Sequence, residues 1–257
     1  MDVDAYLDRI GYRGARAPTL AALRELHVAH LRSVPFENLS IHAGEPIVLD
    51  EAALVDKIVR RRRGGFCYEL NGAFAALLSA LGFSVDRLAA RVYGADGRLG
   101  IPFDHMVLRV DVGDAWLVDV GFGDGFVRPL RWRLGDEQRD GPRRYRFEPV
   151  DGGVRVVERR PTAPPKPLYW IDPTPRSLAD FEPGRRYHTT SPHSPFLARR
   201  ICSVLRDTGR VTVAGERLVF TTSHGTRVDF PLAGDAGVAH ALRVHFGIDV
   251  DALSGRS

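Results

Sequence analysis

The stretch RGGFCYELNGAF, residues 63–74, places a cysteine at the point where a helix is predicted to begin. From Leu70 onward apolar residues recur at i, i+4, i+7, i+8 and i+11, the spacing of one face of an α-helix. Gly82 stands where a helix commonly ends on a left-handed residue. Two glycines, Gly64 and Gly65, allow the entering backbone to turn sharply. The stretch therefore predicts a helix that carries Cys67 in its first turn.

The position of Cys67 affects the chemistry of its thiol. The first turn of a helix presents the positive end of the dipole and N–H groups that have no partner within the helix. Both features favour a thiolate over a thiol, and the thiolate is the nucleophilic form. The alternative interpretation is a buried structural cysteine, which is the commoner fate of a lone Cys.

The composition is that of an ordinary globular protein. With 257 residues, 44% hydrophobic and 26% charged, the chain can bury a real core in one large domain or in two to three small ones. Its two cysteines, Cys67 and Cys202, make no disulfide framework, and a bridge between them would remove the thiol from the helix start. We expect a reducing, cytoplasmic setting. Neither a signal peptide nor a membrane-spanning run is recognisable, so no membrane partner is expected.

Arginine supplies nearly all of the positive charge of the chain. The formal net charge is +4, and only Lys57 and Lys166 are lysines. The run Arg60–Arg63 closes the helix before Cys67, where cations suit the negative end of the dipole. Because no aromatic residues are interleaved with it, we interpret this run as a solvated helix end and expect no nucleic-acid partner. A mildly basic surface also suits a polyanionic small ligand.

Hydrophobic periodicity changes along the chain. Residues 1 to about 84 are predicted to be helical, with Thr19 and Asp50 as N-caps. From Val85 short strands follow one another without an intervening helix, which favours an antiparallel barrel or sheet. The predicted strands cover residues 88–93, 106–110, 115–120, 144–147 and 154–157.

The remaining segments are predicted from proline, glycine and turn signals. The proline-rich segment Pro161–Pro167 is interpreted as a stiff loop. From about residue 186 the pattern is mixed, and residues 211–213 and 218–220 predict a hairpin. A final helix is predicted over Val238–Phe246, ended by Gly247.

His105 and Asp119 lie on adjacent predicted strands and complete a set that nucleophilic thiol catalysis needs. In such a site the imidazole pairs with the thiolate and moves protons, while the carboxylate fixes the imidazole. A two-residue loop between the strands would set Asp119 opposite Leu108, facing away from His105. A three-residue loop, Val112–Asp114, sets Asp119 opposite Val107 and on the face of His105. We therefore predict an odd-length loop or a bulge.

Each of these residues also has a plainer interpretation. Taken alone, His105 is more often a satisfied strand-end histidine. Asp119 lies in an apolar run, where a carboxylate is costly to bury, so a specific partner is expected. Residues 121–125 read as a tight turn, and without Walker spacing they are weak evidence of phosphate binding. The other histidines show no metal-ligand spacing, and no metal is predicted.

Three separated motifs in the same order resemble the arylamine N-acetyltransferase family. The similarity runs nearly end to end, and three motifs in order make a far more specific signal than any single one. Within them Arg63 and Glu37 resemble a structural ion pair that holds the helical bundle together. The three motifs are VPFENL (34–39), RGGFCYE (63–69) and VDVGFG (118–123), and the similarity also includes SPF (194–196) and FGI (246–248).

The resemblance implies an α+β fold in three parts around a cysteine-protease-like Cys-His-Asp core. Residues 1–84 would form an N-terminal helical bundle that carries the nucleophile. Residues 85–185 would form a central antiparallel β-barrel that carries the histidine and aspartate, and residues 186–257 an α/β lid. The implied catalytic triad is Cys67, His105 and Asp119.

The resemblance also implies substrate contacts. Phe36, Phe122 and Phe196 would line the acceptor pocket, although Phe36 and Phe196 could equally be core residues. Gly121 and Gly123 would belong to the loop near the coenzyme A phosphates. The partners would then be acetyl-CoA, as a co-substrate and not a permanently bound cofactor, and a small-molecule amine.

The implied reaction is a ping-pong acetyl transfer through a thioester on Cys67 to an arylamine, an arylhydrazine or a related amine. The closest alternative is an amide synthase of the same family, which would close a macrolactam from a carrier-bound polyketide thioester. A more distant alternative is a thiol hydrolase or transglutaminase-like enzyme, against which the flanking motifs argue. The non-enzymatic alternative is a binding module with an inert Cys67.

Overall fold

The computed structural model describes residues 1–161 and 163–249 of the chain. Its α-helices are α1 (Val3–Ile10), α2 (Leu20–Ser33), α3 (Leu39–His42), α4 (Glu51–Val55), α5 (Cys67–Ala80), α6 (Glu182–Thr190), α7 (Pro195–Ala198) and α8 (Gly234–Phe246). Its strands are β1 (Phe36–Glu37), β2 (Ser84–Val92), β3 (His105–Val112), β4 (Asp114–Val118), β5 (Leu130–Arg131), β6 (Glu137–Asp140), β7 (Arg143–Val150), β8 (Gly153–Arg160), β9 (Ala163–Arg176), β10 (Ile201–Arg206), β11 (Gly209–Ala214), β12 (Arg217–Thr222) and β13 (Arg227–Pro231). A π-helical turn (Asp56–Arg60) continues α4, and a 3₁₀ turn (Leu178–Phe181) precedes α6.

The fold is α+β, as predicted, with the helices α1–α5 leading into a nearly closed antiparallel barrel. The barrel sheet has eight strands in the order β5-β4-β3-β2-β9-β8-β7-β6. Each of the five predicted strands of this region is present. Thr19 and Asp50 cap α2 and α4 through their side-chain oxygens, which confirms both predicted N-caps.

The turn between β3 and β4 has the predicted odd length. Val112 pairs with Asp114 across Gly113, whose φ of +71° suits glycine. The register continues to Leu108 opposite Val118. Asp119, the next residue, therefore lies on the same face of the sheet as His105, as the three-residue loop predicts.

The second sheet has the order β1-β10-β11-β12-β13 and is packed against α8. The predicted hairpin is present as β11 and β12, and α8 ends at Gly247 with a φ of +67°. Strand β1 comes from the helical region but pairs with β10 in an antiparallel ladder. In its register Glu37 lies opposite Cys202. The predicted boundary after residue 84 falls at the start of β2, and the one after residue 185 falls inside α6. The three-part division remains a prediction.

Two local expectations were wrong. Residues 163–167 of the proline-rich segment belong to β9 and are not a loop. Prolines are accommodated there because β2 pairs with β9 only from Tyr169 onward, so the proline segment has a single neighbour, β8, and two irregularities interrupt that ladder. Arg63 is also not a solvated helix-end cation, because it is buried at 4% exposure in an ion pair.

Helix α5 forms the centre of the helical region. Its apolar residues Leu70, Phe74, Leu77 and Leu78 are fully buried against the surrounding helices and the barrel. The Glu69 carboxylate accepts the N–H of Phe66, which satisfies one of the free donors at the helix start. The first turn of α5 therefore lies buried where the helices meet the barrel. No helix of the described residues is long and apolar enough to cross a membrane.

Candidate active site

The structure brings Cys67, His105 and Asp119 together. Cys67 opens α5, His105 opens β3, and Asp119 directly follows β4. All three are buried at 3% exposure. The Nε2 atom of His105 lies 2.8 Å from Oδ2 of Asp119, and Cys67 and His105 line the same cavity. The order of contacts is that of a nucleophile, a base and a group that orients the base.

The Asp119 carboxylate is held by three donors. Besides His105, the Asn71 side-chain amide and the Gly121 N–H each donate to Oδ1 at 2.9 Å. Burial alone would raise the pKa of Asp119, but the charge of His105 and these hydrogen bonds lower it below the ordinary value. Asp119 is therefore an anion in the site.

His105 is held in its cationic form. Burial acts to lower the pKa of His105, but the charge and hydrogen bond of Asp119, together with Cys67, raise it to about 10. The ring is confined by two aromatic neighbours, Phe122 and Tyr169, whose centroids each lie 5.4 Å away. Burial and the nearby Asp119 carboxylate also raise the pKa of the Tyr169 hydroxyl, so it remains protonated.

Gly121 allows the loop after β4 to lie directly on α5. A Cβ atom at this position would lie 2.7 Å from the Cα atom of Cys67 and 2.7 Å from Nδ2 of Asn71. Gly123 has a φ of +85° and passes close to Phe36. Both glycines line the cavity beside the triad, and their predicted role near coenzyme A phosphates remains a prediction.

A cavity of about 1100 Å³ opens beside Cys67 and His105. Phe36, Phe122 and Phe196, the three predicted acceptor contacts, all line it. The ring centroids of Phe36 and Phe196 lie 6.0 Å apart, and both rings also pack on buried core residues. The two side chains therefore belong to both the cavity wall and the core. The arginines of the lining are Arg91, Arg98, Arg199, Arg210 and Arg227.

Two buried ion pairs fix the start of α5. Arg63 contacts Glu37 at 2.7 Å, as the resemblance implies, and Lys57 contacts Glu69 at 2.6 Å. Burial raises the pKa of Glu69, whereas the charges of Lys57 and Arg63 lower that of Glu37. The two cations balance the two carboxylates, so the network connects β1, the π-helical turn and α5 without a net buried charge.

Asn71 and Tyr169 also belong to the site and were not predicted from the sequence. Asn71 follows Cys67 by four positions, which places the two on one helix face, so helical spacing could have identified it. Tyr169 reaches the site from β9, beyond the segment interpreted as a loop, and nothing local in its sequence points to His105. Within residues 1–161 and 163–249 no group of three or more His, Cys, Asp or Glu residues could hold a metal ion.

Comparison with known proteins gives a consistent family. A family model described as N-acetyltransferase matches residues 19–254. The arylamine N-acetyltransferase of Mycobacterium tuberculosis is 38% identical over 100% of this chain and 92% of that protein, and the Mycolicibacterium smegmatis enzyme is 38% identical over 100% and 95%. The Mycobacterium marinum arylamine N-acetyltransferase in complex with CoA superposes with a TM-score of 0.91 at 35% identity, covering 98% of this chain and 94% of that one.

These matches define the protein as an acyltransferase. The chain belongs to the arylamine N-acetyltransferase family. The resemblance drawn from the three sequence motifs is thereby confirmed.

Proposed function

We propose that this protein transfers an acetyl group from acetyl-CoA, through a thioester on Cys67, to an arylamine, an arylhydrazine or a related amine. The observation that carries the proposal is the placement of Cys67 beside the hydrogen-bonded His105–Asp119 pair at the wall of one large cavity. The names of the relatives support the reaction class, and the M. marinum complex with CoA supports the donor.

In the first half-reaction Cys67 acts as the nucleophile. A cationic imidazole beside a cysteine stabilises the thiolate, and His105 is cationic because of Asp119. The thiolate sulfur attacks the acetyl carbonyl carbon, and the bond between that carbon and the CoA sulfur breaks. His105 gives its proton to the departing CoA thiolate, which leaves a neutral imidazole beside the acetylated Cys67.

In the second half-reaction His105 acts as the base. The amine nitrogen attacks the Cys67 thioester carbonyl, and the neutral His105 imidazole takes the amine proton. The carbon–sulfur bond to Cys67 breaks, which restores the thiolate beside the imidazolium. Asp119 favours this return because it stabilises the cation in a fixed orientation.

The surroundings suit both substrates. The N–H of Cys67 lies in the first turn of α5, where donors lack helical partners, so it is well placed to stabilise the oxyanion of each tetrahedral intermediate. The aromatic side chains Phe36, Phe122 and Phe196 offer apolar faces to an aromatic acceptor. The arginines of the cavity lining offer positive charge to the phosphates of the donor.

The competing interpretations are less well supported. The relatives are named arylamine N-acetyltransferases, which gives no support to the amide-synthase alternative. A binding module would not need a buried, ionised Asp119 fixed to a cationic His105, because such groups are costly to bury.

The experiment is an intact-mass measurement after brief exposure to acetyl-CoA without any amine. We expect one acetyl adduct on the wild-type protein, and its disappearance when a simple aromatic amine is added. Cys67→Ala should give no adduct while remaining folded. An adduct that persists in Cys67→Ala would contradict the proposed nucleophile.

Cys202 provides the matched control, because it is the other free cysteine of the chain. It is fully buried in the core below the second sheet, and burial together with Glu37 raises the pKa of its thiol. Cys202→Ala should therefore form the adduct at the wild-type rate. A wild-type protein that forms no adduct, but whose Cys67 reacts quickly with iodoacetamide, would indicate a different acyl donor.

A further inference from the structure

His27 joins helix α2 to both ends of the segment that carries Asp119. Its Nε2 atom accepts the Asp119 N–H at 3.3 Å, and its Nδ1 atom donates to the Val127 carbonyl at 2.8 Å. A backbone N–H can only donate and a carbonyl can only accept. The two contacts together therefore require one form of the ring, the neutral tautomer with its proton on Nδ1.

The surroundings of His27 preserve that form. The side chain is fully buried, Phe126 stacks on the ring at 5.7 Å with an interplanar angle of 11°, and Phe74 packs edge-on at 6.3 Å. Burial lowers the pKa of His27, although the Val127 carbonyl and the Asp119 and Asp140 carboxylates act against this. The Asp140 carboxylate has contacts of its own, because one oxygen accepts the Val127 N–H and the other lies 3.7 Å from Arg128.

The segment between the two contacts, residues 119–127, holds much of the active site. It begins with Asp119, and it includes Gly121, which lies on Cys67, and Phe122, which packs on His105. Asp119 and Val127 are the first and last residues of the segment. Each of them gives a main-chain group to one nitrogen of the same ring.

We propose that His27 is a positioning residue, whose two hydrogen bonds close this segment like a clasp and so aim the Asp119 carboxylate at His105. The proposal rests on the proposed function only in taking Cys67, His105 and Asp119 as the working triad. His27 touches no reacting atom, so its contribution acts through Asp119. We call these two hydrogen bonds the His27 clasp.

His30 is a second buried histidine of α2, and its hydrogen bonding differs from that of His27. It lies one turn further along the same helix, is also fully buried, and contacts Phe74. Its Nε2 atom meets the Tyr6 hydroxyl at 3.1 Å, while its Nδ1 atom has no hydrogen-bond partner. The hydrogen bond described for His30 goes to Tyr6 and not to residues 119–127. His30 is therefore a matched control for substitution of a buried histidine.

The experiment compares His27→Phe, His27→Gln and His30→Phe. Two quantities are measured: the pKa of His105 by NMR titration, and the single-turnover rate of Cys67 acetylation. In His27→Phe the carboxylate is no longer held in line, so we expect the pKa of His105 to fall by about one pH unit or more and the rate to fall about tenfold or more. In His27→Gln the side-chain amide can still accept the Asp119 N–H, and we expect at least half of the rate lost in His27→Phe to be recovered.

The control separates positioning from simple loss of stability. His30→Phe, which also replaces a buried histidine of α2, should leave the His105 titration and the acetylation rate unchanged whatever its effect on the melting temperature. The proposal is overturned if His27→Phe titrates like the wild type, or if His30→Phe shifts His105 equally. The titration does not require turnover, so a wild-type protein that fails to acetylate would refute the proposed function and leave this test intact.

A measurement on the wild-type protein covers the case in which a variant does not fold. The ¹⁵N chemical shifts of the His27 ring report its tautomer directly. We expect a protonated Nδ1 and an unprotonated Nε2, together with slow hydrogen exchange at the Asp119 amide. A proton on Nε2 at neutral pH would show that the His27 clasp does not exist.

Discussion

The Nε2 atom of His105 lies 2.8 Å from the Oδ2 atom of Asp119, and water has almost no access to either side chain. In such surroundings the charge on one partner determines the charge on the other, because a charge buried alone is costly. The two groups therefore titrate as a pair, with the proton retained on His105 well above neutral pH. We expect both the proposed chemistry of Cys67 and the stability of the fold to depend on this pair.

Replacing Asp119 by Asn should cut the rate of Cys67 acetylation by about 10²- to 10⁴-fold. The amide keeps the shape of the carboxylate but not its charge, so the imidazolium loses the partner that stabilises it. The rate is measured in single turnover with acetyl-CoA. Asp86→Asn is the control, since Asp86 pairs with Arg109 away from the cavity and should leave the rate unchanged. A rate close to that of the wild type in Asp119→Asn would refute the orienting role.

The same pair predicts how stability depends on pH. The pKa of His105 is raised to about 10, so its contribution is complete below the unfolded value of about 6.5 and is lost as the pH rises through the folded value. The pKa of Asp119 is lowered, so its contribution is present above the unfolded value of about 3.9 and is lost as the pH falls below it. The pair should stabilise the protein most between roughly pH 4 and 6.5.

Urea unfolding at about pH 6 and about pH 10 tests this dependence. The free energy of unfolding of the wild type should exceed that of Asp119→Asn at the lower pH, and the difference should shrink at the higher pH. A difference that stays constant between the two would mean that the pair does not couple protonation to folding.

Much of the site was predictable from sequence because its key residues follow local rules. A glycine pair and a helical apolar stripe indicate that a helix begins at Cys67. The odd-length turn at Gly113 follows from the requirement that Asp119 share a face with His105. Such features depend on residues that are close in the chain, where backbone periodicity fixes which side chains meet.

The residues that were missed reach the site from distant parts of the chain. His27 and Tyr169 meet the Asp119 region only because α2 and β9 pack beside it, and sequence periodicity does not say which elements become neighbours. The proline segment of β9 was misread for a related reason. Proline disfavours a strand only where both sides of the strand form ladder hydrogen bonds, because it has no N–H to donate. Whether one side of a strand is left without a partner depends on how the whole sheet assembles.

The buried ion network predicts a large effect from a residue outside the cavity. Lys57→Met should destabilise the protein by about 3–5 kcal/mol, because it leaves the Glu69 carboxylate buried without its 2.6 Å partner. Urea unfolding measures the change. The double variant Lys57→Met/Glu69→Gln removes the unpaired charge and keeps an acceptor for the Phe66 N–H, so it should recover much of the loss.

An exposed pair of the same region provides the comparison. Arg60 lies 3.7 Å from Asp56 with 81% of its side chain exposed, and Arg60→Met should leave stability nearly unchanged. If Lys57→Met proves as mild as Arg60→Met, the carboxylate of Glu69 must be satisfied in some other way, and the network is not what fixes the start of α5.

The two glycines at the ends of the loop after β4 should respond very differently to alanine. At Gly121 the added Cβ would lie 2.7 Å from the Cα atom of Cys67 and 3.0 Å from its carbonyl oxygen, so either the loop or the start of α5 must move. A displacement of that kind at the proposed nucleophile should lower the acetylation rate by about tenfold to a hundredfold. At Gly125 the Cβ would meet only the Phe122 side chain at an ordinary 3.5 Å, so Gly125→Ala should retain the wild-type rate. Equal rates in the two variants would show that the close approach of Gly121 to Cys67 does not position the nucleophile, whereas a loss confined to Gly121→Ala would separate this backbone contact from general stiffening of the loop.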